Sequence, residues 1–396
     1  MTGIRRTDAA YKRATWAMLA VGLATFNGLY CTQALLPTFS EVFSISPTTA
    51  ALTISAATGM LALCVVPASI LSERFGRGRI LAGSLIAATA VGLVIPFLSD
   101  PNLIIALRGL QGAFFAGTPA VAMAWLSEEI DARDLAGAMG LYIAGNAFGG
   151  LLGRIIPSTI LEFASWRWAM GINAVFALTM AALVWLLLPA QQHFHAKQLH
   201  AKAEVQAMLG HWRNPRLAAL FILPLLAMGT FVSVYNFLGF RMIQLFGLSE
   251  GLVGLLFIMY LAGTWSSARA GSMVKRWGRG PVVLSMALLM LAALPVLNSG
   301  HLSVILLALF IFTASFFALH STASSWVGIL ATEHRAEASS MYLFCYYVGS
   351  SIIGWLSGMV MHIGWFQFTM WLSALTALIV LISAWLWSTR EQSGQD

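Results

Sequence analysis

The sequence predicts an all-α membrane protein with twelve transmembrane helices arranged as two parallel six-helix bundles. Three observations support this prediction: a very apolar composition, twelve apolar runs of membrane-spanning length, and a second half that repeats the first. Of the 396 residues, 59% are hydrophobic and only 9% are charged. Soluble globular proteins average about 45–50% apolar and about 25% charged residues, so this chain has too little charge to cover a water-facing surface.

Twelve apolar runs are long enough to cross a bilayer, because a helix needs about 20 apolar residues to span the hydrocarbon core. They occupy residues 14–36, 48–71, 80–98, 102–126, 137–160, 168–188, 217–240, 251–273, 281–298, 303–327, 339–362 and 366–387. The runs are too long and too evenly apolar for the alternating strands of a membrane barrel. The first run is also too long for a secretory signal core, so we expect it to be an uncleaved span.

The basic residues lie almost entirely in alternate gaps between the predicted spans. Of the 22 Lys and Arg residues, 17 occur in the two tails and in the gaps after the even-numbered spans. The opposite gaps clearly hold only Arg167, with Arg241 at the outer end of span seven, and they hold four acids: Glu41, Asp100, Glu162 and Glu250. The positive-inside rule therefore predicts that both termini face the cytoplasm. The net charge of +7 is then an orientation signal, and we expect no nucleic-acid partner.

The second half of the chain repeats the first with the same topology. Segment Ala24–Tyr30 matches Gly229–Tyr235 at an offset of 205, loop Glu73–Gly78 matches Lys275–Gly280 at 202, Trp125 matches Trp326 at 201, and Tyr142 and Gly149 match Tyr342 and Gly349 at 200. We therefore predict an N-terminal bundle at 1–188, a cytoplasmic linker at 189–216 and a C-terminal bundle at 217–396. Parallel six-helix repeats are an architecture of secondary transporters, whose substrate site lies near the membrane midplane.

Four motifs carry a family resemblance. The loop after span two reads Ser69-x-x-x-Glu73-Arg74-x-Gly76-Arg77, its second copy reads Gly271-x-x-x-Lys275-Arg276-x-Gly278-Arg279, span four contains Arg108-x-x-Gln111-Gly112, and span five contains Gly145-x-x-x-Gly149-Gly150-x-x-Gly153-Arg154. In these motifs the chain resembles the major facilitator superfamily. The superfamily's loop signature is Gly-x-x-x-Asp-Arg-x-Gly-Arg-Lys/Arg, and its antiporter signature in span five is Gly-x-x-x-Gly-Pro-x-x-Gly-Gly. Within it, the segments WLSEEI, MGLYIAGN and SSMYLFCYYVGSS are similar to bacterial inner-membrane transport proteins.

The resemblance covers essentially the whole chain and implies two six-helix bundles that rock about a central cavity in the bacterial inner membrane. We therefore expect a monomeric secondary active transporter with a small-molecule substrate and no cofactor. The resemblance further implies alternating access and export of small organic molecules against proton entry. Two alternatives remain: uptake or exchange of an anionic solute, and a membrane receptor or scaffold that does not transport. No Ser/His/Asp set, metal-ligand spacing or phosphate-binding loop indicates an enzyme.

Gating residues are expected in both charged loops. They are Glu73, Arg74, Gly76 and Arg77 in the first copy and Lys275, Arg276, Gly278 and Arg279 in the second. The resemblance implies that this loop acts as a gate, with Glu73 near the N-terminus of span eleven, where unpaired N–H groups and the helix dipole favour an anion. Lys275 reverses the charge, so this contact is predicted to be weaker or absent in the second copy. The alternative is that these charges only orient the chain.

Ionisable side chains inside the spans are candidates for substrate or proton binding. Arg108 and Arg154 lie within spans four and five, where the alternatives are snorkelling or hydrogen bonds to carbonyls of neighbouring helices. No Asp or Glu lies well inside a span. A proton could therefore bind an edge carboxylate near Arg108 or bind His320, since a free histidine has a pKa of about 6.5. A carrier without proton coupling, and a neutral His320 hydrogen-bonded between helices, remain alternatives.

Polar and aromatic side chains mark a predicted substrate cavity. It comprises Asn27 and Tyr30 in span one, Tyr142 and Asn146 in span five, Tyr235 and Asn236 in span seven, and Tyr346 and Tyr347 in span eleven, together with Arg108, Arg154 and His320. Tyr235 occupies the repeat position of Tyr30, so these two are stronger candidates for cavity residues than the other aromatics. For each aromatic, packing in the core or contact with lipid is the alternative.

Two further sets of residues have structural interpretations. The glycines of span five are expected to allow close helix packing. The linker contains His193, His195, His200 and His211, but nothing in the sequence makes them converge on a metal ion. We therefore expect a solvated linker and no metal site.

Overall fold

The structure is a computed structural model that describes residues 3–192 and 201–391. Within these residues, sixteen α-helices and four short 3-10 helices form the fold, and no β-strand is present. Twelve helical segments are long and apolar enough to cross a membrane. These features confirm the predicted all-α membrane fold with twelve spans.

Eight α-helices precede the linker. They are α1 (Ala9–Tyr30), α2 (Leu36–Val42), α3 (Pro47–Phe75), α4 (Arg77–Val94), α5 (Pro101–Phe115), α6 (Pro119–Glu129), α7 (Leu135–Leu161) and α8 (Trp166–Leu187). A 3-10 helix at Gln33–Leu35 connects α1 to α2, and another at Ile95–Phe97 extends α4. Spans one and four are each built from two helices, and a proline lies in the first turn of both α2 and α6. Proline fits there because the first helical N–H groups have no partner within the helix.

Eight α-helices follow. They are α9 (Ala201–Gly210), α10 (Pro215–Phe246), α11 (Glu250–Gly254), α12 (Tyr260–Trp277), α13 (Arg279–Val296), α14 (Leu302–Leu330), α15 (Arg335–Met361) and α16 (Trp365–Glu391). 3-10 helices at His211–Arg213 and Leu255–Met259 precede α10 and α12. The long helix α10 has a sequence-encoded start and stop. Asn214 accepts a hydrogen bond from the N–H of Arg216 at 3.0 Å, and Gly247 ends the helix with a φ of +63°.

The chain packs as two compact units. The first comprises Met1–Ile45, Leu52–Ala201 and Ser249–Leu255, and the second comprises Ser46–Ala51, Lys202–Leu248 and Leu256–Asp396. The bundle limits predicted at 188 and 217 stay a prediction.

Within the predicted linker the structure has helix α9, and the imidazole Nε2 of His211 lies 3.1 Å from the carbonyl oxygen of His334. The predicted linker residues His193, His195 and His200 lie outside the described residues.

Glycines bring α1 and α7 into backbone contact in the first unit. A Cβ added at Gly145, Gly149 or Gly153 would lie 2.5–2.6 Å from the carbonyl oxygen of Leu19, Gly22 or Asn27, respectively. The expectation of close packing by these glycines is therefore confirmed. The contact recurs in the second unit. A Cβ on Gly149 would lie 2.8 Å from the Cα of Leu23, and a Cβ on Gly349 would lie 2.7 Å from the Cα of Leu225. The sequence repeat is therefore also a repeat of helix packing.

Candidate functional site

Arg108 on α5 bonds the backbone of span one where α1 ends. Its side chain is fully buried. Its Nη1 donates to the carbonyl oxygen of Gly28 at 2.7 Å, and its Nη2 donates to that of Leu29. Its Nε donates to the carbonyl oxygen of Thr53 on α3 at 3.0 Å, and Nη1 also bonds Gln111 Oε1. The last carbonyls of a helix have no partner within it, so Arg108 supplies the missing donors where α1 ends.

The arrangement of Arg108 matches the carbonyl-bonding alternative given above. Each of its three guanidinium nitrogens points at an internal acceptor. Gln111 continues the network by donating from Nε2 to the carbonyl oxygen of Ala88 at 3.0 Å. Gly112 completes the motif, because a Cβ there would lie 2.7 Å from the Cα of Ala57 on α3. The motif therefore joins α1, α3, α4 and α5.

Asn27 forms a reciprocal amide pair with Asn173 on α8. Each Nδ2 donates to the other residue's Oδ1 at 2.9 Å, and both side chains are buried. Of the first-unit candidates in span five, Tyr142 is buried and its hydroxyl donates to the carbonyl oxygen of Pro119 at 3.4 Å. Asn146 is half-buried one turn later on α7. Asn27 and Tyr142 thus contribute to packing between helices of the first unit.

Tyr30 and Arg154 lie in direct contact in the first unit. The guanidinium carbon of Arg154 is 4.3 Å from the centre of the Tyr30 ring. Arg154 Nε donates to Gln33 Oε1 at 2.7 Å, and Nη1 bonds the carbonyl oxygen of Gly150. An arginine over an aromatic face is a cation–π contact that also orients the guanidinium. These two predicted residues are brought together, and Gln33 joins them.

A chain of ring contacts runs through the second unit. It passes from Tyr235 on α10 to Phe231 (5.0 Å between ring centres), Phe316 (4.0 Å), His320 on α14 (6.0 Å), Tyr346 on α15 (4.8 Å) and Tyr347 (5.1 Å). We call these six residues the aromatic chain. Tyr235 is further fixed by a 2.7 Å hydrogen bond between its hydroxyl and that of Thr313. Asn236 follows Tyr235 and is buried. Four predicted site residues therefore belong to one continuous feature.

His320 is the polar group within the aromatic chain. Its Nδ1 lies 2.9 Å from the hydroxyl of Tyr342, which also lies 3.3 Å from the carbonyl oxygen of His320. Among the described residues, none bonds its Nε2, and the side chain is half-buried. Its two neighbours in the aromatic chain are Phe316, at 6.0 Å between ring centres, and Tyr346, at 4.8 Å. The imidazole is therefore fixed through Nδ1, and its Nε2 has no bond to the described residues.

The first charged loop is an ion-pair network centred on Arg77. Its Nε donates to Glu128 Oε1 at 2.7 Å, and its Nη2 donates to Glu73 Oε1 at 3.3 Å. Its Nη1 lies 3.3 Å from the hydroxyl of Ser72. Gly76 makes the turn with a φ of +99°, a conformation that favours glycine. Arg74 instead lies over the Phe75 ring, at 5.7 Å.

The second charged loop repeats the turn without the acids. Gly278 has a φ of +82°, and Arg279 begins α13 as Arg77 begins α4. Lys275 and Arg276 are exposed at the end of α12, and Arg276 lies 5.5 Å from the centre of the Trp277 ring. None of the described residues forms an ion pair with these three cations. The two copies therefore share a backbone but differ in charge pairing.

Two of the predicted edge carboxylates, Glu162 and Glu250, lie at α11. Thr38 donates from its hydroxyl to Glu250 Oε1 at 2.6 Å. Glu162 Oε1 accepts from the N–H of Gly251 at 2.6 Å, which caps the start of the helix. Within the described residues these carboxylates make no bond to Arg108, and no three His, Cys, Asp or Glu side chains converge as metal ligands.

Five residues that the sequence interpretation did not place in the site have clear contacts with it: Gln33, Glu128, Phe231, Phe316 and Tyr342. Three of them carried a usable signal. Phe231 and Phe316 each lie four residues before a candidate, so they share its helix face. Tyr342 is the repeat partner of Tyr142. Gln33 and Glu128 carried no such signal, because their partners lie 121 and 51 positions away.

The chain is similar to known membrane transporters over most of its length. The family model of the Major Facilitator Superfamily matches residues 18–353 and 240–396. The chain is 38% identical over 364 residues to the inner membrane transport protein YnfM of Escherichia coli (strain K12), covering 91% of this chain and 87% of that protein. It is 35% identical over 389 residues to the uncharacterized MFS-type transporter YybF of Bacillus subtilis (strain 168), covering 98% and 95%.

A solved structure has the same fold. The crystal structure of the nucleoside transporter NupG superimposes with a TM-score of 0.77 at 12% identity, covering 94% of this chain and 99% of that chain. The resemblance predicted from the motifs is confirmed by the family match and by the similarity to YnfM. This chain, a multi-pass membrane protein with twelve spans, therefore belongs to the Major Facilitator Superfamily.

Proposed function

We propose that this protein is a secondary active transporter that works by alternating access and exports small organic molecules against proton entry. Membership of a transporter superfamily supports transport. The partial antiporter signature of span five supports export. The observation that carries the proposal is the aromatic chain with half-buried His320 inside it. Aromatic rings offer an organic solute apolar and stacking contacts, and the imidazole offers a proton-binding group.

His320 is the proposed proton carrier. Tyr342 holds its Nδ1, so a proton can arrive and leave at Nε2 without breaking the contact between α14 and α15. The protonated ring would be a cation stacked on Phe316 and next to the ring of Tyr346, where cation–π attraction offsets part of the cost of burying charge. The spans offer no deep carboxylate for the same task.

Replacing His320 by glutamine is expected to uncouple transport from protons. Glutamine can still bond Tyr342 but does not titrate between pH 5 and 8. The full-length variant would be reconstituted in vesicles containing a pH-sensitive dye and tested with a panel of aromatic organic solutes. We expect solute–solute counterflow to persist and accumulation driven by a pH gradient to be lost.

The matched control is His362→Gln, which removes an exposed histidine at the end of α15. It is expected to keep gradient-driven accumulation. Retention of that accumulation by His320→Gln would overturn the assignment of His320. Absence of solute flux in wild-type vesicles for the whole panel would instead favour the receptor or scaffold alternative.

Uptake or exchange of an anionic solute is the second candidate, and Arg154 is the observation that favours it. Arg108 bonds backbone carbonyls of two other helices. Arg154 instead stacks on Tyr30 and bonds the side-chain oxygen of Gln33 as well as a carbonyl of its own helix. A lysine cannot reproduce a planar guanidinium stacked on a ring. Arg154→Lys that slows flux of carboxylate solutes but not of neutral ones would support this candidate over export of neutral molecules.

The first charged loop is the proposed cytoplasmic gate, with Glu73, Arg74, Gly76 and Arg77 as its residues. Glu73→Gln removes a charge from the network around Arg77. We expect this change to alter the rate at which single cysteines introduced on the cytoplasmic side react with a water-soluble thiol reagent, because a weakened gate changes the time spent open.

Lys275→Gln is the matched control for Glu73→Gln, since it removes a charge from the same position of the second copy. A small effect is expected there, because Lys275, Arg276, Gly278 and Arg279 lack the acids that complete the first network. Unchanged labelling in Glu73→Gln would remove the gating proposal.

Both termini are proposed to face the cytoplasm of a bacterial inner membrane. The N-terminal tail pairs with the segment after α6, where Ile4 accepts from the N–H of Asp131 at 3.0 Å and donates to Glu129 at 2.8 Å. This pairing supports a common side for the N-terminus and that gap, as the distribution of basic residues predicts.

A further inference from the structure

The two charged loops of the repeat place one arginine in the same backbone setting twice. Arg77 follows Gly76 (φ +99°) and begins α4, and Arg279 follows Gly278 (φ +82°) and begins α13. The offset of 202 positions is the one that aligns the whole loop. Any difference between the two guanidinium groups therefore comes from the side chains around them.

In the first copy, every guanidinium nitrogen has an acceptor from the protein. Glu128 Oε1 takes the Nε hydrogen at 2.7 Å, Glu73 Oε1 lies 3.3 Å from Nη2, and the Ser72 hydroxyl lies 3.3 Å from Nη1. Two carboxylates thus neutralise and fix Arg77.

In the second copy, both carboxylates are replaced. Lys275 stands at the position of Glu73, and the offset of 201 that aligns Trp125 with Trp326 puts Ile329 at the position of Glu128. The Nε of Arg279 is buried and has no hydrogen-bond partner in the described part of the chain. A buried donor without an acceptor is costly, and more so when the group is charged.

The stretch of chain that carries Arg279 is basic and contains an exposed tryptophan. The sequence has no Asp or Glu between Glu250 and Glu333. Trp277 is 52% exposed, so it offers an apolar face beside the cations. Tryptophan is enriched at the membrane–water interface, and basic residues at the cytoplasmic ends of spans attract anionic headgroups.

A second cation–aromatic pair lies on the same helix. Arg269 is one turn after Trp265 on α12, both are exposed, and the guanidinium carbon lies 4.5 Å from the ring centre. Arg276 falls two turns after Arg269, so it extends the same helix face towards the loop. This face combines exposed apolar surface along the span with cations at its end, as a lipid with an acyl chain and a charged headgroup requires.

We propose that Arg279, Lys275 and Arg276 bind the phosphate group of an anionic phospholipid, with Trp277 against the lipid. The phosphate oxygens accept from the Nη groups of Arg279, which have no carboxylate partner among the described residues of the kind that Glu73 gives to Arg77. Arginine suits this role because its fork of N–H groups matches a phosphate. The site is independent of the transported solute and of proton coupling.

The test compares lipid retention by purified full-length protein. Native mass spectrometry would measure the fraction of protein molecules that retain bound phosphatidylglycerol, and the fraction that retain phosphatidylcholine with identical acyl chains. Wild type is expected to prefer phosphatidylglycerol. Arg279→Gln is expected to reduce that preference about tenfold, the size of one charge-assisted contact. Lys275→Glu with Ile329→Glu recreates the acids of the first copy, so internal carboxylates should occupy Arg279 and lower the preference similarly.

The matched control is Arg133→Gln, which removes one exposed positive charge from another gap predicted to be cytoplasmic. It is expected to leave the preference unchanged. Equal losses in Arg279→Gln and Arg133→Gln would mean general charge attraction and would overturn the site. Full retention by Arg279→Gln would do the same, even if the double variant fails to fold. Displacement of phosphatidylglycerol by millimolar inorganic phosphate would reassign the cluster to a soluble anion.

Discussion

Replacing Gly149 by alanine is expected to sharply lower the yield and thermal stability of folded protein. The added Cβ would lie 2.6 Å from the carbonyl oxygen of Gly22 and 2.8 Å from the Cα of Leu23. Because the neighbouring atoms are backbone, no side chain can turn away to make room. Overpacking a core typically costs about 1–3 kcal/mol and occasionally more. Gly349→Ala is expected to have the same effect, since its Cβ would lie 2.7 Å from the Cα of Leu225.

The control for this prediction is Gly140→Ala on the same helix, α7. A Cβ at Gly140 has no heavy atom within 4 Å. Alanine is the better helix former by about 1 kcal/mol, so this variant should be neutral or more stable. Thermal unfolding in detergent, followed by size-exclusion chromatography, compares the three. Equal midpoints for Gly149→Ala and Gly140→Ala would contradict the backbone contact.

Removing the side chain of Arg108 is expected to destabilise the fold at the break in span one. Arg108→Ala removes a side-chain donor from three buried carbonyls. Leu29 loses its donor where α1 ends, whereas Gly28 keeps the Cys31 thiol at 3.2 Å and Thr53 lies inside α3. A buried group left unsatisfied costs about 1–3 kcal/mol. Arg108→Lys should be intermediate, because one ammonium group cannot reach acceptors on both sides of a guanidinium plane.

Arg167→Ala is the control for Arg108, since Arg167 also bonds a carbonyl oxygen, that of Leu98, at 3.1 Å but is exposed. Water can replace that bond, so little change in the unfolding midpoint is expected. If Arg108→Ala unfolds at the wild-type temperature, the bonds of Arg108 do not stabilise the break in span one. If Arg108→Lys is stable but loses transport of anionic solutes alone, the substrate role holds instead.

Features that depend on short stretches of sequence could be predicted. The twelve spans follow from the length of each apolar run, and the repeat follows from residues compared at one offset. The turn at Gly76 and the packing glycines of span five depend on a single residue type in a regular pattern, and the structure has both. His320 could be selected as the histidine deep in a span, and its contact with another helix was one stated alternative.

Features that depend on residues far apart in the sequence could not be predicted. The carbonyl acceptors of Arg108 lie 55 to 80 positions away, so the sequence showed a charge inside a span but not the groups that it bonds. The break after Tyr30 was not predicted, because residues 14–36 were treated as one apolar run although Thr32 and Gln33 lie at the break. The aromatic chain required α10, α14 and α15 to be neighbours, and the sequence showed Tyr235 and His320 as unrelated candidates.

The reciprocal amide pair between Asn27 and Asn173 bears on how the helices find their order in the membrane. In lipid, apolar side chains do not distinguish a neighbouring helix from the acyl chains around it. A carboxamide does, because it gains a partner only from another polar group at the same depth. Two 2.9 Å bonds that form together specify which helix lies beside α1 and at what height. Asn27 and Asn173 thus help α1 and α8 to recognise each other as the helices assemble in the membrane.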